Sequence, residues 1–145
     1  MGQATALVRD FFDAYARARS AQDIDVIASQ YPDSFTYAGP RGARVAERAG
    51  TIAAFPKGRE FLKSIGHQST RVVSLEEGDI ARPYALVHAS FVWRFQKAPA
   101  PPIDVTIEST FILIVQPGAP KIVFQLEHED FQQALRASGV LPPSS

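Results

Sequence analysis

The chain has 145 residues, 46% of them hydrophobic and 21% charged, with a formal net charge of zero and a pI near 6.8. That mixture fits one globular domain over residues 1–145 and lacks the basic footprint of a nucleic-acid or anionic-membrane binder. The absence of Cys excludes disulfides, thiolate metal sites and a cysteine nucleophile, and the absence of Asn excludes N-glycosylation.

Leu7, Val8, Phe11, Phe12 and Tyr15 recur at helical spacing and predict an amphipathic helix from about Ala4 to Arg19. This beginning is not the apolar core of a signal peptide, and no apolar run approaches membrane-spanning length, so a cytoplasmic setting is expected. Asp23 is a good N-cap for a second helix carrying Ile24, Ile27, Ala28 and Tyr31, which Pro32 stops. Ser34 to Ala38 alternates as a short strand with Phe35 and Tyr37 on one side, followed by a turn at Gly39-Pro40-Arg41-Gly42. Ala43 to Phe55 is open between a strand, a helical turn and a flap. Pro56, Lys57 and Gly58 lead into a third helix with a stripe of Phe61, Leu62 and Ile65, ended by Gly66.

Strands follow. Thr70 to Glu76, a turn at Glu77-Gly78-Asp79, and Tyr84 to Lys97 come first; in the longer run Ala85, Val87, Ala89, Phe91, Trp93 and Phe95 alternate against Leu86, His88, Ser90, Val92 and Arg94. After a Pro-rich loop, Thr106 to Val115 and Lys121 to Glu129 form a hairpin around a turn at residues 117–120. Strict alternation puts Ser109, Phe111, Leu113 and Val115 on one side of the first strand, and Ile122, Phe124, Leu126 and His128 on the apolar side of the second. Asp130, with Gln133 three residues on, caps a short terminal helix to Ala137, with Gly139 closing it and a frayed Pro-Pro-Ser-Ser tail.

This order of elements, together with FFDAYARARSAQDIDVIASQY as paired opening helices, KGREFL and KIVFQLEHED, resembles the nuclear-transport-factor-2-like superfamily, its SnoaL-like and steroid-isomerase-like branch in particular. The resemblance implies an α+β fold: a curved antiparallel sheet wrapped around N-terminal helices as a cystatin-like cone, ordered α-α-β-(β)-α-β-β-β-β with a short C-terminal helix. It also implies an apolar cone-shaped pocket for a small apolar molecule, and commonly a homodimer through the outer face of the sheet. The steroid-isomerase mechanism needs a carboxylate base at the end of the first strand, a helix tyrosine and a protonated Asp. Here Tyr15 matches the tyrosine, but Gly39 or Ala38 stands at the base position and Phe111 or Ile112 at the Asp position. The Arg and two Asp of epoxide-hydrolase-like members have no counterpart.

The candidate catalytic groups are Tyr15, His128 and Glu127. His128, on the apolar face, fits a general base or a group that orients a ligand; Glu127 becomes the pocket residue if the faces are reversed, as a buried carboxylate with a raised pKa and a candidate acid, against a solvent-facing position as its competing reading. Tyr15, Tyr31, Tyr37, Phe91, Trp93, Phe111, Phe124 and His128 are the candidate ligand contacts; core packing is the competing reading for each aromatic, and a hydrogen-bonded strand end that for His128. Glu127-His128-Glu129-Asp130 cannot converge on one ion because adjacent strand residues point apart, so neither metal nor other cofactor is expected. His88 falls on the mixed face beside Ser90 and Arg94, and His67 follows the third helix as a dipole partner. Two functions stand side by side: a small-molecule-binding protein with possible cofactor-free acid-base chemistry of isomerase, cyclase, dehydratase or hydrolase type, and a non-catalytic association module in which Val92, Arg94 and Ile112 make partner contacts.

Overall fold

The computed structural model describes residues 1–115 and 118–143. After a two-residue strand β1 (Gly2–Gln3), helix α1 (Ala6–Ala21) begins where the Thr5 hydroxyl accepts from the Val8 N–H. It ends at Gln22, whose left-handed backbone (φ 54) turns its N–H back onto the carbonyls of Ala18 and Arg19. The Asp23 carboxylate accepts from the Val26 N–H and starts α2 (Ile24–Ser29). The hairpin β2 (Ser34–Gly39) and β3 (Gly42–Glu47) then leads directly into α3 (Arg48–Ser64). Four strands complete the sheet: β4 (His67–Asp79), β5 (Tyr84–Phe95), β6 (Ile103–Ile114) and β7 (Lys121–Glu127). The chain closes with α4 (Phe131–Ala137), capped by the Asp130 carboxylate on the Gln133 N–H.

The seven strands form one curved, unclosed sheet in the order β1-β4-β5-β6-β7-β2-β3, antiparallel except where β2 runs parallel to β7. The expected α+β architecture is therefore present, with the open segment 43–55 resolved into strand β3 followed by the first half of α3. Two boundaries differ from expectation. Pro56 lies inside α3 rather than ahead of it; the carbonyl its ring deprives of a partner is that of Ile52, an exposed residue whose backbone water can serve. Likewise β4 runs through Glu77-Gly78-Asp79, pairing them with Val87, Leu86 and Ala85, and the reversal comes after Asp79. The predicted turn at 117–120 begins, and the Pro-Pro-Ser-Ser tail ends, outside the described residues.

The largest difference concerns β7. Leu113 pairs with Ile122 but Ile112 pairs with Phe124, so Val123 is an extra residue bulged out of the ladder. A one-residue slip exchanges the two faces of everything beyond it. Since directly paired residues share a face, Gln125 and Glu127 lie inside with their partners Phe111 and Ser109, whereas Phe124 and Leu126 lie outside with Ile112 and Thr110. The expected grouping of Phe124, Leu126 and His128 with Ile122 on the core side is thereby corrected: the three face outward.

The core sits between α1 and the inner sheet face. Phe12, Val87, Phe111, Leu113 and Ile122 have no exposed surface, and the Phe12 ring lies 4.8 Å from that of Phe111. A second cluster at the other end joins Phe95, Val105 and Ile107 to Ala134 and Leu135 of α4. Among the described residues no helix is long and apolar enough to cross a membrane.

Candidate functional site

A chain of polar side chains crosses the otherwise apolar interior. The Arg19 Nη2 donates to the Tyr31 hydroxyl (3.0 Å), which donates to Gln125 Oε1 (2.6 Å). Gln125 Nε2 donates to Glu127 Oε1 (2.6 Å) and lies 3.5 Å from the Tyr15 hydroxyl. The Ser109 hydroxyl donates to the other Glu127 oxygen at 2.7 Å. Every donor points from the guanidinium toward the carboxylate, so the chain links opposite charges through two neutral groups. Arg19 also lies over the Tyr15 ring, 3.3 Å from its centroid, and its Nη1 is buried without a hydrogen-bond partner.

Burial raises the pKa of Tyr15 well above the usual phenol value, the Arg19 charge offsetting part of the effect, and Tyr31 is raised for the same reason. Tyr37 is pushed up to about 12 by burial first and by the Glu127 charge second. All three phenols therefore stay protonated near neutral pH and do not act as bases.

Two adjoining cavities flank this chain beneath α3. The larger, about 750 Å³, is bounded by the β2–β3 turn, α3, and the start of α4, with Tyr37 and Glu127 in its wall. The smaller, about 530 Å³, has Arg19 and Trp93 in its wall, and both share Arg44, Gly58 and Leu62. The carboxylate end of the chain thus opens onto one cavity and the guanidinium end onto the other. Apolar side chains of Phe61, Leu62 and Phe131 line much of the larger space, while Arg41, paired to Asp130 at 3.1 Å, stands at its rim.

The structure distributes the sequence-derived candidates unevenly. Glu127 and Tyr37 share the larger cavity and Trp93 lines the smaller. Tyr15 and Tyr31 are buried behind them as part of the polar chain. Phe91 and Phe111 pack around Phe12 and Tyr15 as core. Phe124 and His128 are on the opposite side of the sheet, His128 with Nε2 2.6 Å from the Thr110 hydroxyl and its ring stacked on His88 at 5.0 Å. His67 contacts Thr70 at 3.0 Å and packs on Trp93 and Phe95, so it is held by β4 and β5 rather than by the end of α3. Arg19 and Gln125 escaped the sequence reading. For Arg19 a signal existed, since it continues the Val8, Phe12, Tyr15 stripe at a spacing of four; for Gln125 the bulge hid it.

No family model matches the chain, and no curated protein matches it in sequence. Solved structures do match. The β subunit of benzoate 1,2-dioxygenase from Burkholderia mallei superposes with a TM-score of 0.73 at 13% identity, covering 92% of this chain and 95% of that one. An NTF2-like protein with a cystatin-like fold from Novosphingobium aromaticivorans gives 0.70 at 15% identity, covering 94% and 88%. A ketosteroid isomerase-like protein from Erwinia carotovora atroseptica gives 0.62 at 16% identity, covering 85% and 93%. At these identities the likeness establishes the fold: the chain adopts the NTF2-like, cystatin-like α+β cone.

Proposed function

We propose that the chain binds a small, mainly apolar molecule in the larger cavity, with Glu127 as the polar group that meets it. The observation that carries this reading is a carboxylate fixed by Ser109 and Gln125 at 2.7 and 2.6 Å while facing a cavity of about 750 Å³. A volume of that size is typical of small-molecule sites, in which a few placed polar groups orient an apolar ligand. The steroid-isomerase pattern places its base at the end of the strand corresponding to β2, where this chain has Gly39 or Ala38; a Cβ built on Gly39 would lie 3.9 Å from that of Glu127. The neighbouring β7 thus supplies a carboxylate beside the position where β2 lacks one. With Tyr37 in the same wall as a neutral donor, cofactor-free acid-base chemistry follows: Glu127 takes a proton from carbon next to a carbonyl, and the phenol donates to the oxygen on which charge develops.

The test is exchange of α-protons in D2O, followed by NMR, for a panel of cyclic ketones with and without the protein. Wild type is expected to accelerate exchange, Glu127→Gln to abolish the acceleration while still binding, and Leu62→Trp to block both. Acceleration that persists in Glu127→Gln would refute the assigned base. Ketone binding that Leu62→Trp abolishes, without exchange in any variant, would leave a binding protein and not an enzyme, and no binding at all would remove the pocket reading.

The second reading, an association module forming a homodimer through the outer face, has one observation in its favour. Leu86, Ile112 and Phe124 sit directly opposite one another across β5, β6 and β7 as a half-buried apolar row on that face. Ile112→Glu should convert a dimer to monomer in sedimentation if that row is the contact.

A further inference from the structure

The outer face holds a second cluster, unrelated to the cavity. His88 of β5, Glu108 of β6 and His128, which follows β7, each offer one ligand atom, and these atoms lie within 4.8 Å of one another. His128 cannot share an ion with its sequence neighbours, but the sheet brings it to residues 40 and 20 positions away. Its backbone N–H donates to the Glu108 carbonyl at 3.1 Å, continuing the ladder past the end of β7 and fixing its place.

Two of the three side chains have a hydrogen-bonded orienting partner. The Ser90 hydroxyl donates to Glu108 Oε1 at 3.2 Å, and the Thr110 hydroxyl lies 2.6 Å from His128 Nε2. His88 has the Glu76 carboxylate 3.9 Å from Nδ1 and Glu108 3.9 Å from Nε2, so its two nitrogens face two different carboxylates. At that distance neither contact is a hydrogen bond, but Glu76 stands on the Nδ1 side, where an outer carboxylate would direct the ring once Nε2 meets a cation. Most tellingly, His88 Nε2 is buried and has no hydrogen-bond partner. A buried nitrogen left unsatisfied between a stacked imidazole and a carboxylate calls for an occupant.

We propose that His88, Glu108 and His128 form a binding site for a divalent first-row transition cation, zinc(II) being the natural probe. Two imidazoles and one carboxylate suit such an ion and not calcium or magnesium, which take oxygen sets. Metal–ligand bonds of about 2.0–2.1 Å put ligand atoms of a tetrahedral site roughly 3.4 Å apart. Glu108 and His128 are exposed and can turn inward by the remaining distance around the better-anchored His88. The fourth position faces off the sheet.

Isothermal titration of chelator-treated full-length protein with zinc chloride tests the assignment. One zinc per chain is expected, with binding lost in His88→Gln, His128→Gln and Glu108→Gln. Thr110→Val, which keeps all three ligands, should weaken it by about tenfold, the usual cost of removing an outer partner. His67→Gln should leave it unchanged, and thermal melts of each variant without metal check folding. Absence of saturable binding in wild type would overturn the site. So would binding that survives in the folded His88→Gln, His128→Gln double variant, since that marks only scattered surface coordination.

Discussion

Helices α1 and α3 are nearly equal in length, 16 and 17 residues, and treat the sheet in opposite ways. Six residues of α1 are buried, Val8, Phe11, Phe12, Tyr15, Ala16 and Ala18, whereas no residue of α3 is. One end of the cone is solid and the other is roofed by a helix that leaves space beneath it. Stability is therefore concentrated where α1 meets β5 and β6, and the capacity to take up a molecule is concentrated under α3.

The sharpest test of that contrast is Phe12→Ala, expected to cost about 3–5 kcal/mol in chemical denaturation because the ring has no exposed surface and the surrounding sheet cannot collapse onto it. The counterpart in the roof, Leu62→Ala, should cost about 1 kcal/mol or less, since Leu62 is only half-buried; a loss comparable to that at Phe12 would mean α3 is core. Tyr31→Phe falls between them. It leaves Gln125 Oε1 and Arg19 Nη2 without their partner and should cost about 1–3 kcal/mol. Unchanged stability there would show that the polar chain is replaced by water.

The smallest effect is a pH slope at His67, which packs on Trp93 and Phe95 away from the α1 core. Burial lowers the pKa of His67 below 6.5. The unfolded chain then takes up the proton first as pH falls, so stability is full above 6.5 and declines as pH drops through that value toward the folded one. His67→Gln should remove that part of the slope in melts recorded between neutral and mildly acid pH, and an identical slope in the variant would mean other groups produce it.

Much of this organisation was legible in the sequence. The α1 stripe, the Asp23 and Asp130 caps and the alternation along β5 and β6 all follow local rules that the fold obeys. What was hidden has specific causes. Pro56 suggested a helix start because a proline inside a helix is costly, yet an exposed helix can tolerate one. The inner face of β7 was misread because strict alternation presumes no bulge, and Val123 gives no warning: it is β-branched, neither Gly nor Pro, and chemically indistinguishable from a paired strand residue. That one residue also concealed Gln125, and with it the link between Arg19 and Glu127. The grouping of His128 with His88 and Glu108 depends on strands far apart in sequence, so no local pattern reveals it.

The bulge at Val123 makes pairing register, more than composition, the property that decides what the interior holds. Deleting Val123 would leave Ile122 opposite Leu113 and Phe124 opposite Ile112 in an unbroken ladder, with Gln125 and Glu127 still inside and His128 still outside. Pairing Val123 with Ile112 instead, with no change of sequence, would slip the rest of β7 by one residue, bring Phe124 and Leu126 inward in place of Gln125 and Glu127, and break the outer histidine pair. One extra residue that pairs with nothing therefore keeps an acidic wall in the cone, and the same amino acids in a straight ladder would give a chemically different interior.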